Sequence, residues 1–136
     1  MAKIILISCV SKKKPHKAKA KNLYMSTWFK YAFQYALSLK PDKIFILSAK
    51  YGLLNPERVI MPYNRTLNNM KSDQIKKWAN NVVSMLKEKA DLENDNFIIL
   101  AGKNYRRYLI PYISNYKIPM KELSIGYQLN FLKKHT

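Results

Sequence analysis

The chain has 136 residues, which predicts a single domain, and 48% of them are hydrophobic, which is enough for a buried core. It carries 25 Lys and Arg against 8 Asp and Glu, so its formal net charge is +17 at pH 7. The 10 Tyr, 5 Phe and 2 Trp exclude an intrinsically disordered chain, and the charge indicates a polyanionic partner such as nucleic acid.

The first predicted strand, Lys3–Val10, is a continuous apolar run of the kind found in central strands. It ends at Ser8 and Cys9. Because Cys9 is the single cysteine, no intramolecular disulfide can form, which favours a cytoplasmic location. No apolar run is long enough for a membrane span, and no signal peptide is expected. Residues 11–21 lack an apolar period and are rich in lysine, which predicts a mobile basic loop.

The second predicted strand lies between a helix and a long loop. The helix is expected over Asn22–Leu39, with Ser26 as the N-cap of its main part, and Pro41 ends it. The strand Lys43–Ser48 is apolar and then turns abruptly polar. The loop over residues 50–70 is longer than most connections, which is typical of functional loops.

The C-terminal half continues the alternation of helices and strands. A helix is predicted from Ser72 to about Ala90, and a third strand over Phe97–Ala101. A short helix is expected over residues 105–113, stopping near Ile110 because of the following proline. A fourth short strand is expected within residues 116–124, and a last amphipathic helix follows Ser124.

Alternating buried strands and helices predict the α/β class with a parallel sheet. We expect a single Rossmann-like three-layer domain over residues 1–136, with a short sheet of three to four mainly parallel strands flanked by helices. The connections between parallel strands should be right-handed.

In open parallel sheets, ligands bind at the carboxyl ends of the strands. All three predicted strands end in small or hydrogen-bonding residues, so we expect these ends to form one ligand site. They comprise Ser8 and Cys9; Ser48, Lys50, Tyr51 and Gly52; and Gly102, Lys103, Asn104 and Tyr105.

Each of these residue types suits a phosphate or a base, and each also has an ordinary structural role. Lys50 and Lys103 would bind phosphate, whereas most lysines are simply exposed. Tyr51, Tyr63 and Tyr105 would stack on a base, whereas many tyrosines are half-buried core residues. Gly102 and Gly126 stand at helix starts, which favour anions. Cys9 is either a nucleophile or a small buried hydrophobic residue.

Several catalytic patterns are missing from the chain. It has no GxxxxGK phosphate-binding loop, and Pro15 stands where a Cys-x5-Arg phosphatase would have its arginine. No Cys and His residues have the spacing of metal ligands, and carboxylates are few near the strand ends. Neither a metal nor a cofactor is predicted.

Short motifs along the chain resemble a small bacterial and phage family of unknown function. They are Ile7-Ser8-Cys9 followed by lysines, Asn22-Leu23-Tyr24, Leu47-Ser48-Ala49-Lys50-Tyr51-Gly52-Leu53, Tyr63-Asn64-x-Thr66-Leu67 and Ile125-Gly126-x-Gln128. The strand end at residues 47–53 is also similar to one in the core of archaeosine synthase and, more distantly, to YaaA-type DNA-binding proteins. The chain departs from these patterns at Asn64, where the family often has an acid, and at Ser124, where the pattern has a first glycine.

The resemblance implies a Rossmann-like domain that binds nucleic acid or its modified bases, one version having the architecture of a uracil-DNA glycosylase. The first hypothesis is therefore a nucleic-acid-acting protein that binds a nucleobase or nucleotide, with base-modifying or glycosylase-like chemistry at Cys9, Lys50 and Asn64. The alternative is a non-catalytic DNA- or RNA-binding accessory protein, or a small nucleotide-binding protein. In these hypotheses the nucleic-acid backbone contacts Lys12, Lys13, Lys14, Lys17, Lys19, Lys21, Arg106 and Arg107. A membrane surface is the least favoured partner, and the sequence leaves the oligomeric state open.

Overall fold

The computed structural model describes the whole chain, from Met1 to Thr136. In chain order its elements are β1 (Lys3–Ser8), β2 (Ala18–Lys19), α1 (Ala20–Leu23), α2 (Thr27–Ser38), β3 (Lys43–Ser48), β4 (Gly52–Leu54), β5 (Val59–Ile60), α3 (Ser72–Lys87), β6 (Asn96–Leu100), α4 (Lys103–Arg106), β7 (Tyr116–Lys117) and α5 (Ile125–Lys134). Short 3-10 helices lie at Leu67–Asn69 and Ile110–Tyr112.

Five strands form a mostly parallel central sheet in the order β4-β3-β1-β6-β7. Strand β1 lies in the middle and pairs in parallel with β3 on one side and β6 on the other. Strand β7 continues the parallel sheet beyond β6, and β4 is antiparallel to β3. The predicted α/β class with a mainly parallel sheet flanked by helices is therefore confirmed.

The predicted number of three to four strands was too low, because the sheet has five. The missed strand is β4, whose three residues were assigned to the long loop over residues 50–70. A segment this short shows no clear alternation of polar and apolar residues, so periodicity could not reveal it. The short strand expected within residues 116–124 is present as β7, which pairs with Phe97 and Ile98.

The core is built around β1, whose residues Ile4 to Ile7 are completely buried. Burial on both faces explains why this segment is an unbroken apolar run. Helix α2 packs against β1 and α5, and helix α3 packs against β4 and α4. Ser26 is the N-cap of α2, as predicted, and its Oγ accepts a hydrogen bond of 2.9 Å from the backbone N–H of Phe29.

Three helix predictions need correction in their boundaries. The helix expected over residues 22–39 is interrupted at residues 24–26, which separate α1 from α2. Helix α3 begins at Ser72 and ends at Lys87, with Lys71 as its N-cap residue. The helix expected over residues 105–113 is divided into α4 and a 3-10 turn that contains Pro111, because proline lacks the N–H that a continuous helix needs.

The basic segment 11–21, predicted as a mobile loop, is held to the rest of the protein by backbone hydrogen bonds. Strand β2 pairs in antiparallel fashion with β5. The N–H of Lys14 donates to the carbonyl of Leu23 at 2.9 Å, and the N–H of Met25 donates to the carbonyl of Lys12 at 2.7 Å. These contacts involve main-chain atoms, so the side-chain pattern gave no indication of them.

None of the helices combines the length and the apolar character that crossing a membrane requires.

Candidate functional site

A cavity of about 520 Å³ lies at the carboxyl ends of β1 and β6. We call it the strand-end cavity. Two predicted strand ends contribute to its wall, because β1 and β6 are neighbours in the sheet. The predicted site residues that line it are Ser8, Cys9, Gly102, Lys103, Asn104 and Tyr105. The volume lies within the usual range for small-molecule sites.

Other parts of the wall come from elements that were not assigned to the site. They include the side chains of Ser11, Ser26, Trp28, Thr66, Asn68 and Gln128. Thr66 and Gln128 belong to the short motifs of the family resemblance, so a signal for them was present. Trp28 falls at the helical spacing of apolar residues within the predicted helix over residues 22–39, and Asn68 has no feature that separates it from other loop residues.

The hydroxyl of Tyr105 lies at the buried base of this cavity. It is within 3.5 Å of the Cys9 thiol, which donates to it, and the backbone N–H of Leu67 donates to it at 3.4 Å. Since it accepts from both, its own hydrogen is left for Thr66 Oγ1 at 3.5 Å. Burial, reinforced by the nearby thiol of Cys9, raises the pKa of Tyr105 above its ordinary value of 10.0, so the phenol stays neutral.

Two pairs of side chains shape the polar rim of the cavity. The amide of Asn104 donates to the carbonyl oxygen of Asn68 at 2.9 Å. The indole N–H of Trp28 donates to Gln128 Oε1 at 2.8 Å, and the amide of Gln128 donates onward to the carbonyl of Leu123. These bonds hold the Trp28 ring in place through Gln128, which is 100 positions away in the sequence.

The end of β3 does not line the strand-end cavity, although it lies beside the end of β1. The N–H of Cys9 donates to the carbonyl of Leu47 at 3.0 Å, which joins the two strand ends. Beyond that point, the Ser48 side chain is completely buried and bonds to the hydroxyl of Tyr63 at 2.8 Å. The hydroxyl of Tyr63 also bonds to that of Tyr24 at 2.7 Å.

These three hydroxyls form a hydrogen-bonded chain with Tyr63 in the middle, which we call the Tyr24–Tyr63–Ser48 network. The backbone N–H of Tyr51 also donates to Ser48 Oγ, at 3.0 Å. Burial raises the pKa of Tyr24 and of Tyr63 above the ordinary value of 10.0, so both phenols stay neutral. Sequence analysis placed Ser48, Tyr51 and Tyr63 at a ligand; the structure shows the hydroxyls of Ser48 and Tyr63 bonded to each other.

Lys50 lies in the tight turn between β3 and β4, and Gly52 is the first residue of β4. Lys50 is exposed, and its Nζ lies 5.3 Å from the centre of the Tyr51 ring. The guanidinium carbon of Arg58 lies 5.1 Å from the centre of the same ring, so two cations lie close to Tyr51. Gly52 has a φ of +73°, a conformation in which side-chain-bearing residues are strained. Asn64 is also exposed and, like Lys50, does not line the strand-end cavity.

Lys13 is a half-buried lysine beside the Tyr24–Tyr63–Ser48 network. Its Nζ is 4.2 Å from the centre of the Tyr63 ring, and it donates to the carbonyl of Ser11 at 3.1 Å. Partial burial lowers the pKa of Lys13, while the neighbouring Cys9 acts in the opposite direction. Lys13 therefore stands against the aromatic network, in contrast to the exposed Lys50.

The other predicted backbone-binding residues differ in how free they are. Lys19 and Lys21 both form ion pairs with Glu57, at 3.1 and 2.5 Å. The guanidinium of Arg106 donates to the carbonyl of Ala101 at 2.8 Å, and Arg107 lies over the ring of Tyr108. Lys12 and Lys17 are exposed and Lys14 is half-buried, and none of these three is in an ion pair. Gly126 is exposed on α5, between the lining residues Ile125 and Gln128.

A family model described as "Family of unknown function (DUF6884)" matches residues 4–134. The chain belongs to this family. No curated protein and no solved structure matches the chain. The matched residues include every residue that lines the strand-end cavity, from Ser8 to Gln128.

The chemistry available in this DUF6884 protein is that of a pocket with both polar and apolar walls and one cationic side chain. The cavity presents amide, hydroxyl and aromatic groups together with the ammonium of Lys103, and none of its lining residues is acidic. An anion would therefore meet attraction at the rim without a carboxylate to repel it. No group of three or more His, Cys, Asp and Glu side chains is placed to hold a metal ion.

Proposed function

We propose that the protein acts on nucleic acid by binding a nucleobase or nucleotide in the strand-end cavity. The observation that carries this proposal is the grouping of paired amides, an aromatic ring and a lysine around one cavity. The base of a nucleotide has hydrogen-bonding edges and two flat faces, and the phosphate of the nucleotide is an anion. The amides match the edges, the aromatic ring matches a face, and the lysine matches the phosphate.

The Asn68–Asn104 pair supplies the groups for a base edge. An asparagine side chain has one acceptor oxygen and one donor amide. Because the amide of Asn104 is bonded to the oxygen of Asn68, the amide of Asn68 and the oxygen of Asn104 remain as a donor and an acceptor. A neighbouring donor and acceptor is the arrangement that amide side chains use to bind adenine, and it suits the edges of other bases as well.

Trp28 supplies a face for the base ring. Its N–H is already bonded to Gln128, so the ring is oriented before any ligand arrives, and stacking costs little conformational entropy. Stacking of a base on an aromatic side chain contributes about 1–3 kcal/mol. Lys103 lies at the start of α4, next to Asn104 in the cavity lining, and is exposed, so its ammonium group is available to a phosphate.

The resemblance of the strand end at residues 47–53 to archaeosine synthase and YaaA-type DNA-binding proteins points in the same direction. We extend that resemblance to the fold, and propose that the five-stranded sheet is a Rossmann-like one. The central position of β1, with parallel neighbours on both sides, supports this, because ligands in such sheets bind where connections diverge from the middle.

To test the proposal, ribonucleoside and deoxyribonucleoside monophosphates are titrated into the protein while tryptophan fluorescence is followed. We expect quenching by at least one base, and loss of that quenching in Trp28→Phe. Asn104→Ala should weaken binding about tenfold, since the base loses one hydrogen bond. Asn80→Ala, on the exposed face of α3, is the matched control and should bind like the wild type. Equal affinity in the Asn104 and Asn80 variants would refute the proposed site.

A second candidate is a base-modifying or glycosylase-like enzyme, and one observation favours a residue for it. Among the residues that line the cavity, Cys9 has the strongest nucleophile, and its thiol faces the hydroxyl of Tyr105. Mass spectrometry of oligonucleotides incubated with the protein tests this function. A product that Cys9→Ser fails to form, while still binding the nucleotide, would support it. Unchanged oligonucleotides would leave a protein that binds without catalysis.

A further inference from the structure

A second concave surface lies next to the strand-end cavity, and its charge is almost entirely positive. It encloses about 570 Å³ between residues 12–14 and the first half of α2. Four lysines line it, namely Lys12, Lys14, Lys21 and Lys30, and none of its lining residues is acidic. We call it the lysine groove. Its floor is formed in part by the stacked rings of Phe29 and Phe33, whose centres are 6.1 Å apart.

The backbone holds the lysines of the groove in place. The carbonyl of Lys12 accepts from the N–H of Met25, and the N–H of Lys14 donates to the carbonyl of Leu23, so residues 12–14 run beside residues 23–25, just before α2. Lys30 stands on the first turn of that helix. Both ion pairs of the protein are made by Glu57, so Lys21 is paired while Lys12, Lys14 and Lys30 are not. Three uncompensated cations therefore surround an apolar, partly aromatic floor.

The groove and the strand-end cavity meet at one residue. Ser26 lines both, and its side chain is fixed because it caps α2 through the N–H of Phe29. A chain molecule that leaves the cavity past Ser26 therefore enters the groove directly. A mononucleotide in the cavity has a single phosphate group and does not need three further cations.

We propose that the lysine groove binds the phosphates of a single-stranded polynucleotide whose neighbouring base occupies the strand-end cavity. This inference rests on the proposed function, and it specifies the substrate as a single strand that crosses Ser26. A single strand has unpaired bases, so one can enter the cavity without the cost of unstacking a duplex. The half-buried ring of Phe33 offers a second face on which a base can stack.

The test compares two triple variants that remove the same charge. The groove variant is Lys12→Gln, Lys14→Gln and Lys30→Gln. The control is Lys77→Gln, Lys87→Gln and Lys121→Gln, which are exposed lysines outside the groove. Binding of labelled oligothymidylate and oligouridylate of about 12 nucleotides is measured by fluorescence anisotropy between about 50 and 200 mM salt. A duplex that contains the same oligothymidylate and a mononucleotide are measured beside them.

We expect the groove variant to lose about a hundredfold in affinity for the single strand at low salt. The slope of log affinity against log salt should fall by about 2, because each phosphate contact on a single strand contributes about 0.7. The control should change the slope much less, and mononucleotide affinity should stay the same in both variants. Oligothymidylate and oligouridylate distinguish a DNA substrate from an RNA substrate, and tighter binding of either supports the proposal.

Three results would overturn the inference. The first is an equal loss of single-strand affinity in the groove and control variants. The second is a duplex that binds as tightly as the single strand and loses as much affinity in the groove variant. The third is binding of anionic phosphatidylserine vesicles with no binding of single strands. If mononucleotides fail to bind the wild type while the groove variant still loses single-strand affinity, the strand-end site is refuted and the groove stands. If mononucleotides bind and the groove variant keeps its single-strand affinity, the groove is refuted and the strand-end site stands.

Discussion

Removing the hydroxyl of Tyr63 should destabilise the protein substantially, because that hydroxyl joins two buried partners. It bonds to Tyr24 at 2.7 Å and to Ser48 at 2.8 Å. Tyr24 is only 5% exposed and has no other hydrogen bond from its hydroxyl, whereas Ser48 keeps the N–H of Tyr51. Tyr63→Phe therefore leaves the buried hydroxyl of Tyr24 without a partner and removes one of the hydrogen bonds of Ser48 Oγ. At about 1–3 kcal/mol for an unsatisfied buried group, we expect a loss of about 2–3 kcal/mol in the free energy of unfolding.

Urea unfolding followed by circular dichroism measures this loss. With a denaturant dependence of about 1.5–2 kcal/mol per molar urea, the midpoint should fall by about 1–2 M. A double-mutant cycle adds Tyr24→Phe and the double variant, and the coupling between the two should be about 1 kcal/mol or more. Tyr127→Phe, at a position that is 67% exposed, is the control and should stay within about 0.5 kcal/mol of the wild type. A Tyr63→Phe midpoint equal to that of the control, or an additive cycle, would show that the network does not contribute as its geometry indicates.

Three further outcomes follow from the geometry. Gly52→Ala should lower the free energy of unfolding by about 1–2 kcal/mol in thermal unfolding, since φ is +73° and the added Cβ would lie 3.2 Å from Met85 Sδ. Gly102→Ala, with open space around the added Cβ, should lower it less. Equal losses in the two variants would contradict the strain at Gly52. Hydrogen bonds from Lys21, and to a smaller extent from Lys19, lower the pKa of Glu57 in the folded protein from 4.5. The pairing therefore favours the folded state above pH 4.5, and this stabilisation is lost as the pH falls through the lowered pKa of the folded protein. An NMR titration should show the Glu57 pKa rising in Lys21→Ala, and no change would refute the pairing. Cys9 is 6% exposed, so a thiol reagent such as DTNB should modify it at least about tenfold more slowly in the folded protein than in urea. A bound nucleotide should slow the modification further. Equal rates with and without the nucleotide would place the thiol outside the cavity.

The proposals assign different tasks to the lysines of this basic protein. Lys19 and Lys21 pair with Glu57, Lys13 lies against Tyr63, and Lys12, with the half-buried Lys14, lines the groove without an ionic partner. A net charge of +17 thus does not describe a uniform field. The unpaired lysines beside the cavity are those on which nucleic-acid binding is expected to depend, and exposed lysines elsewhere serve as controls.

Local patterns in the sequence were sufficient for the main elements of the fold. The apolar runs of β1, β3 and β6, the cap at Ser26 and the helix α3 beginning at Ser72 were each readable within a few neighbouring residues. Such signals arise because a strand buried on both faces excludes polar residues and because a helix repeats its buried face every three to four positions. They also located the polar ends of the strands, which contain six of the residues that line the cavity.

Only the tertiary structure decided which of those ends share a site. The order β4-β3-β1-β6-β7 places the ends of β1 and β6 side by side and fills the space at β3 with Tyr24 and Tyr63. The tertiary structure also brings Trp28 of α2 to Gln128 of α5, which is 100 residues away in the sequence. Strand order and side-chain contacts between distant segments depend on how the whole core packs, and no local period records them. The sequence by itself therefore determined an α/β protein with polar strand ends and a basic surface, and the packing determined where the cavity opens and which lysines lie beside it.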